Sequence, residues 1–451
     1  MAQAKECGKD DTTMHTTIVG GGLAGSEAAL LLADHGVNVT LFEMRPHIMT
    51  PAHTSGDFCE MLCSNSLRGD SEESGPGILK RELLQANSPF LLAARQFRVP
   101  AGGAFAVDRA ALAAHITRLI ENHPQIRVVR EEYSHLDFSP ERPLIVAAGP
   151  LASQALCNSM GKLFGQSLYF YDAIAPIVDG DTVNLEIAFR AARYDKGDAD
   201  YLNCPMSEEQ YQRFYHELIS AQRVKPRDFE KEIHFEGCMP IEEMADRGQE
   251  TLCFGPMKPV GLPHPVTGER FHAVVQLRRE SLNDNAWNLV GFQTKLIQSE
   301  QKRVFRLIPG LEAANFLRLG SMHRNTYING PRFLEADYRV KDHPGLWLAG
   351  QITGVEGYIE SVASGHVAAL SVLHQLRAQE FSAPPATTAM GALGCHVTTP
   401  SANFQPSNIN FGLFAPIAER HRKKERKALY SRRAEEEFRS WLQRYGGHDR
   451  G

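Results

Sequence analysis

Residues 16–43 read TTIVGGGLAGSEAALLLADHGVNVTLFE, and their order decides the fold. Thr16 to Val19 is a β-branched run suited to a buried strand. It enters a glycine turn in which Gly20, Gly22 and Gly25 have the spacing G-x-G-x-x-G. An Ala- and Leu-rich helical stretch follows, Gly36 breaks it, and a second strand ends at Glu43. The result is a βαβ unit. In such a turn the first glycine allows the tight bend and the second admits a pyrophosphate against the backbone. The third lets the helix pack on the strand. The anion sits at the helix N-terminus, where unpaired N–H groups and the dipole favour negative charge. Glu43 is placed to accept from a ribose hydroxyl. This order predicts a dinucleotide site built on Gly20, Gly21, Gly22, Leu23, Ala24, Gly25 and Glu43. A purely structural glycine turn would have no need of the acid.

The far end of the chain selects FAD over NAD. Residues 345–376, GLWLAGQITGVEGYIESVASGHVAALSVLHQL, give another strand, a turn at Gly350 and Gln351, and a helix. A late strand and glycine turn would close over the ribitol and pyrophosphate of FAD, whereas an NAD-only dehydrogenase has no reason to return to the nucleotide there. Between these ends the style changes. YFYDAIAPIV, NLEIAFRAARY and HAVVQLRRE read as strands, with a polar helix near 207–221. The expected organisation is an α/β FAD domain of Rossmann type, residues 16–164 and 321–451, interrupted by an inserted α+β domain, residues 165–320. The last segment reads as a charged amphipathic helix. Its run from Arg420 to Arg433 holds eight Lys or Arg, suited either to RNA phosphates or to a solvated face.

Bulk properties exclude several classes. The chain has 451 residues, 43% hydrophobic and 22% charged, enough for more than one domain. A net charge of -5 is not that of a polybasic nucleic-acid binder, although a local basic surface is compatible with it. No stretch is long and apolar enough to span a bilayer, and the polar first fifteen residues, expected to lack fixed structure, have no signal core. A cytoplasmic, reducing setting is expected. The eight cysteines include no CxxC and no His/Cys cluster at zinc-finger spacing, so no metal site is expected.

One stretch does not suit an ordinary flavoprotein. Phe58 to Arg68, FCEMLCSNSLR, carries Cys59 and Cys63. Two cysteines four apart are a redox disulfide, two metal ligands, or one chemical thiol beside a passenger.

The blocks GGGLAGSEAA, LCSNSLR, FEGCMPIEEMADRG, GPMKPVGL, MHRNTYIN and AGQITGVEGYIES, in this order, resemble one family. It is the folate- and FAD-dependent tRNA uracil-5-methyltransferases, TrmFO, and the likeness runs from about residue 16 to 430. The more distant GidA-type flavoproteins share the glycine turn but not CSNSLR. The resemblance implies a glutathione-reductase-like FAD fold with an insertion. It also implies synthesis of 5-methyluridine at position 54 of the tRNA T-loop. The one-carbon unit would come from 5,10-methylenetetrahydrofolate, the electrons from reduced FAD, and NADH or NADPH would reduce the flavin.

That chemistry needs two groups. C5 of uracil is a poor nucleophile until a thiolate adds to C6, and the C5 proton must then be removed. By resemblance, Cys238 in EGCMPIE is the nucleophile and Cys63 in LCSNSLR is the base beside the flavin. Cys59, where the family's pattern usually has alanine, is then the passenger, and Cys204 is structural. His323 and Tyr358 are candidate neighbours of the pterin, and Arg278 and Arg279 are candidates for the folate glutamate, for RNA phosphate, or for plain surface charge. The same residues are compatible with a ribosomal RNA uridine as target. A small-molecule flavin oxidase would need neither separated thiols nor a folate pocket, and a non-catalytic RNA-binding flavoprotein would not need the thiols. Oligomeric state is not encoded in any of these motifs.

Overall fold

The computed structural model describes residues 14–165, 168–173, 175–195, 198–224, 239–280, 284–401, 404–419, 421–422 and 424–446, with backbone alone at 168–173, 195 and 322–325. The βαβ unit is present. β1 (His15–Val19) enters the glycine turn, α1 (Leu23–Asp34) follows, and β2 (Asn38–Phe42) lies parallel to β1. β3 (Ile126–Val129), β4 (Leu144–Val146) and β5 (Leu346–Leu348) complete a five-stranded parallel sheet in the order β5-β4-β1-β2-β3. β5 arrives from the far end of the chain. The order reverses between β1 and β4, so the crevice beyond their carboxyl ends is where a doubly wound sheet receives a ligand.

α1 is mostly apolar, and eleven of its residues from Leu23 to Ala33 are buried, Ser26 and Glu27 among them, because it is enclosed on every side. On one side lies the sheet, and on the other α2 (Tyr358–Leu376). Their approach is close at Gly365, where an added Cβ would fall 2.3 Å from the Ala24 carbonyl oxygen. Glu27 of α1 joins the two helices by a 2.7 Å hydrogen bond to His366 Nδ1, both groups being buried.

A second sheet has six antiparallel strands and its own core. In spatial order they are Phe189–Ala191, Tyr201–Met206, Ala273–Arg279, Ala286–Leu289, Ile177–Asp179 and Phe316–Arg318. Val275, Leu277, Phe214, Phe292 and Phe305 are buried among its side chains, in a cluster separate from that around the parallel sheet. The chain leaves along Leu168–Ala173 and returns along Met322–Tyr327, and these two segments pair antiparallel as a ribbon. The last helix, Arg426–Tyr445, buries Tyr430, Ala434, Phe438 and Trp441 at i, i+4, i+8 and i+11, one face of a helix. Lys424, Arg426, Lys427 and Arg432 are exposed. Among the described residues no helix is long and apolar enough to cross a membrane.

Candidate functional site

The glycine turn divides its work among three residues. Gly20 has φ +101°, the left-handed region that favours glycine, and an added Cβ would lie 2.5 Å from Ala147 O. Gly25 packs against the turn itself, since its Cβ would fall 1.9 Å from Gly20 O. At Gly22, by contrast, an added Cβ meets nothing within 4 Å. Gly22 is also the N-cap of α1, with no side-chain cap and no acidic residue in the first turn. The open space lies over N–H groups that the helix itself does not satisfy.

This space belongs to a cavity of about 430 Å³, within the usual range for a small-molecule site. Gly20, Gly22, Leu23, Ala24 and Glu43 line it from the first βαβ unit, and Gly350, Gln351 and Tyr358 from the late strand and helix. Cys63 also lines it. Gly21 and Gly25 do not; they shape the turn from behind. Gly21 N–H donates to Glu43 Oε2 at 2.9 Å, and a Cβ there would strike the Phe58 ring at 2.2 Å. The uncapped helix, the open face at Gly22 and the return of Gly350 (φ +79°) to the same cavity fit the pyrophosphate and ribitol of FAD.

Glu43 carries more than the sequence suggests. Arg45 N–H and Nε–H donate to Oε1 at 3.0 Å each, and Arg45 Nη2 donates to Oε2 at 3.1 Å. Burial opposes its ionisation, but these bonds and the one from Gly21 hold the carboxyl below the usual range. Arg45 is buried at 2% exposure and also donates to Glu60 Oε2. In the sequence it is the second residue after the acid, in FEMRP at 42–46. His53, also on the cavity wall, has its Nδ1 2.6 Å from Thr50 Oγ1. Burial and the Arg45 charge push its pKa down to about 4, so the ring is neutral near pH 7.

The two cysteines of FCEMLCSNSLR are in different surroundings, and both are free thiols. Cys59 is 1% exposed, with its N–H donating to Gly21 O at 3.0 Å, and burial pushes its thiol up to about 12. It packs under the glycine turn. Cys63 is half-buried, with Sγ 3.0 Å from Tyr358 Oη. Tyr358 Oη also accepts from Cys63 N–H at 2.7 Å and Ser64 N–H at 3.3 Å. A phenol oxygen has two acceptor sites and one proton. With both acceptor sites taken by backbone donors, the proton is directed at sulfur. Burial and the neighbouring Cys63 push the Tyr358 hydroxyl well above the usual phenol range, so it remains a donor.

The segment holding Cys63 is fastened from several sides. Arg318 Nη1 donates to Leu62 O at 2.8 Å, and Arg109 Nη1 to Met61 O and Leu62 O at 3.1 and 3.3 Å. Arg109 Nε is held in turn by Glu280 at 3.1 Å. Arg278, on the second sheet, donates to Asn65 Oδ1 at 2.9 Å and Ser64 Oγ at 3.0 Å. Asn65 Nδ2 donates to Val107 O and to Arg279 O. Arg278 lines the cavity at 9% exposure, so it is a buried anchor of the loop and not surface charge. Arg279 pairs with Asp284 and lies over the Trp287 ring, 5.6 Å from its centroid. Cys204 is buried at the second sheet, and burial raises its thiol to about 12. His323 sits in the ribbon opposite Asp172. Its side chain, Cys238 and the first thirteen residues lie outside the described residues.

A parallel sheet of this order, with a glycine turn, an uncapped helix and a late strand closing one cavity, defines a flavoprotein of the Rossmann type. Residues 15–380 match the family model described as GIDA, glucose inhibited division protein A. The chain is 54% identical over 428 residues to the methylenetetrahydrofolate--tRNA-(uracil-5-)-methyltransferase TrmFO of Geobacter sulfurreducens, covering 94% of this chain and 98% of that one. It is 52% identical to the protein of the same name from Oleidesulfovibrio alaskensis, over 94% of this chain and 96% of the other. Aquifex aeolicus GidA has the same fold, with a TM-score of 0.71 at 16% identity over 97% of this chain and 76% of that one. The chain belongs to the GidA family and, within it, to the TrmFO proteins.

Proposed function

We infer that this protein methylates C5 of a tRNA T-loop uridine in the cytoplasm, with methylenetetrahydrofolate as one-carbon donor, FAD as bound cofactor and NADH or NADPH as reductant. The observation that carries the reading is Cys63: a half-buried thiol on the wall of the FAD-type cavity, with a phenol proton aimed at it. The names of relatives more than half identical support the substrate and the donor. Residues 16–164 and 321–451 form the cofactor unit and residues 165–320 the RNA-facing insertion, a division supported by the two separate cores.

In this reading Cys238 thiolate adds to C6 of uracil, and the electron pair it delivers makes C5 nucleophilic. C5 bonds to the methylene carbon as that carbon breaks from one folate nitrogen, and loss of the C5 proton then expels the second nitrogen, leaving an exocyclic methylene. Cys63 accepts the C5 proton. Reduced FAD, when bound, supplies the hydride that makes the one-carbon unit a methyl, and the Cys238 sulfur departs from C6. Tyr358 holds Cys63 in place by bonds to both its N–H and its sulfur. Arg318 and Arg109, gripping Leu62 O, fix the preceding peptide and set positive charge near the thiol. The exposed Lys424, Arg426, Lys427 and Arg432 supply contacts to RNA phosphates.

The test is RNA with 5-fluorouridine at the target, which traps the C6 adduct because fluorine cannot leave as a cation. Cys238→Ala should give no covalent band on a denaturing gel. Cys63→Ala should give the band but no turnover, and Cys59→Ala should match wild type in both. A band from Cys238→Ala with none from Cys63→Ala would reverse the assigned roles. Methyl transfer from S-adenosylmethionine without methylenetetrahydrofolate would remove the folate.

A further inference from the structure

The second sheet carries a group of side chains that the methylation chemistry does not use. Glu250 and Cys253 lie at the short helix Thr251–Phe254, and His272 lies immediately before the strand Ala273–Arg279. One ligand atom from each comes within 4.8 Å of the other two. Glu250 Oε2 is 4.0 Å from His272 Nε2. His272 Nε2 is buried with no hydrogen-bond partner among the described residues. That is a costly arrangement for a ring nitrogen, because a polar atom taken from water without a partner loses on the order of 1–3 kcal/mol. The ring is held in place: it packs on Tyr211 at 5.0 Å between centroids, and His272 N–H donates to Met206 O.

We propose that Glu250, Cys253 and His272 form a binding site for a single Zn²⁺ ion that ties the 250–254 turn to the edge of strand Ala273–Arg279. The donor set is sulfur, imidazole nitrogen and carboxylate oxygen, which suits zinc over calcium or magnesium. Tetrahedral zinc with bonds of about 2.0–2.3 Å places ligand atoms about 3.3–3.8 Å apart. The observed separations reach 4.8 Å, wider than that range, and closing the set would fall to Glu250, whose side chain is exposed. Three protein ligands leave the fourth position to water. The ion would give His272 Nε2 its missing partner and would displace the Cys253 proton to solvent, so affinity should rise with pH. Sequence spacing predicts no metal here because Glu250 and Cys253 are separated from His272 by the whole loop between the turn and the strand; only the fold brings the three together.

The test uses the full-length protein freed of metal and titrated with Co²⁺ as a spectroscopic stand-in for zinc. Wild type should bind about one equivalent with tetrahedral d–d absorption to the red of the flavin bands. Cys253→Ser should lose that absorption. His272→Gln should bind at least about tenfold more weakly, since even changing a group behind a ligand costs that much. Cys157→Ser, a half-buried cysteine elsewhere, should leave the spectrum unchanged. Absence of the absorption in wild type, or its persistence in Cys253→Ser, would overturn the site. Should a variant not fold, as read by circular dichroism, wild type alone suffices. Zn²⁺ should slow alkylation of Cys253 more than about tenfold, read on its peptide, while leaving Cys157 and Cys395 unaffected; equal Cys253 rates with and without zinc would refute the proposal.

Discussion

Gly22→Val and Gly25→Ala should fail in opposite ways, although both glycines belong to one motif. Gly22 has φ -72° and ψ -170°, which any residue adopts, and its Cβ direction is open. Valine there should therefore cost the apoprotein only its poorer N-cap preference, up to about 1 kcal/mol. It would hold the flavin pyrophosphate off the first-turn N–H groups. Loss of two hydrogen bonds to a charged group, at about 1.5–3 kcal/mol each, removes about 3–6 kcal/mol. That weakens FAD by about two to four orders of magnitude. Gly25→Ala sets a methyl 1.9 Å from Gly20 O, in a place where ordinary contact needs about 3.3 Å, so the turn must open by more than an ångström. The cost, about 1–3 kcal/mol of overpacking, falls on the protein with or without cofactor. The assay is paired: flavin absorbance per chain after purification, and thermal melts of both deflavinated variants. Full flavin occupancy in Gly22→Val, or wild-type melting of deflavinated Gly25→Ala, would refute the division of roles.

Tyr358→Phe removes the proton aimed at Cys63 and strands two backbone N–H groups; turnover should fall about ten- to a hundredfold, for a loss of about 1.5–3 kcal/mol, while the 5-fluorouridine adduct still forms. An unchanged rate would show that the phenol is not engaged with the thiol during catalysis. His53 has a folded pKa lowered to about 4, so its contribution is present above pH 6.5 and lost as pH falls toward 4, where the unfolded chain binds the proton more tightly. His53→Gln should accordingly flatten the decline of melting temperature across that window, and an unaltered decline would count against the assignment. Arg278→Met should leave flavin bound but cut turnover, because it frees Ser64 and Asn65 and leaves the Gly20–Gly25 turn untouched; parallel loss of flavin would mean the loop also supports the cofactor.

The parts of the fold that could be read from the sequence are those written in short range. The β1 turn, α1 and β2 follow one another within thirty residues, and strand pattern, glycine spacing and acid each carry their own physical reason. β5 announced itself in the same way, by a strand and a glycine turn. The contacts that set up Cys63 are of another kind. Tyr358 lies 295 positions from it, and Arg278 lies 213 positions from Asn65. Nothing local to QLRRE distinguishes a buried arginine from a surface one; burial is decided by which strand packs on which loop. The sequence offers Tyr358 as a neighbour of the pterin for its ring, yet its hydroxyl makes the contacts to Cys63. Cys59 and Cys63 look alike as letters, and only the backbone separates them: Cys59 turns under Gly21 at φ +56° while Cys63 faces the cavity.

The loop at residues 63–66 is stitched to both halves of the molecule: to α2 through Tyr358, to the short strand Ala104–Val107 through Val107 O, and to the second sheet through Arg278 and the Arg279 carbonyl. The insertion is therefore no detachable appendage. A minimal flavodomain made by joining the two ends of the ribbon with a short linker would keep every residue of the glycine turn, and it should still be yellow. It would also leave the Cys63 thiol on a loop cut from one of its two moorings. Cofactor retention and thiol placement are separable inheritances in this architecture, and a relative that had shed or replaced the insertion would be expected to keep the first while free to discard the second.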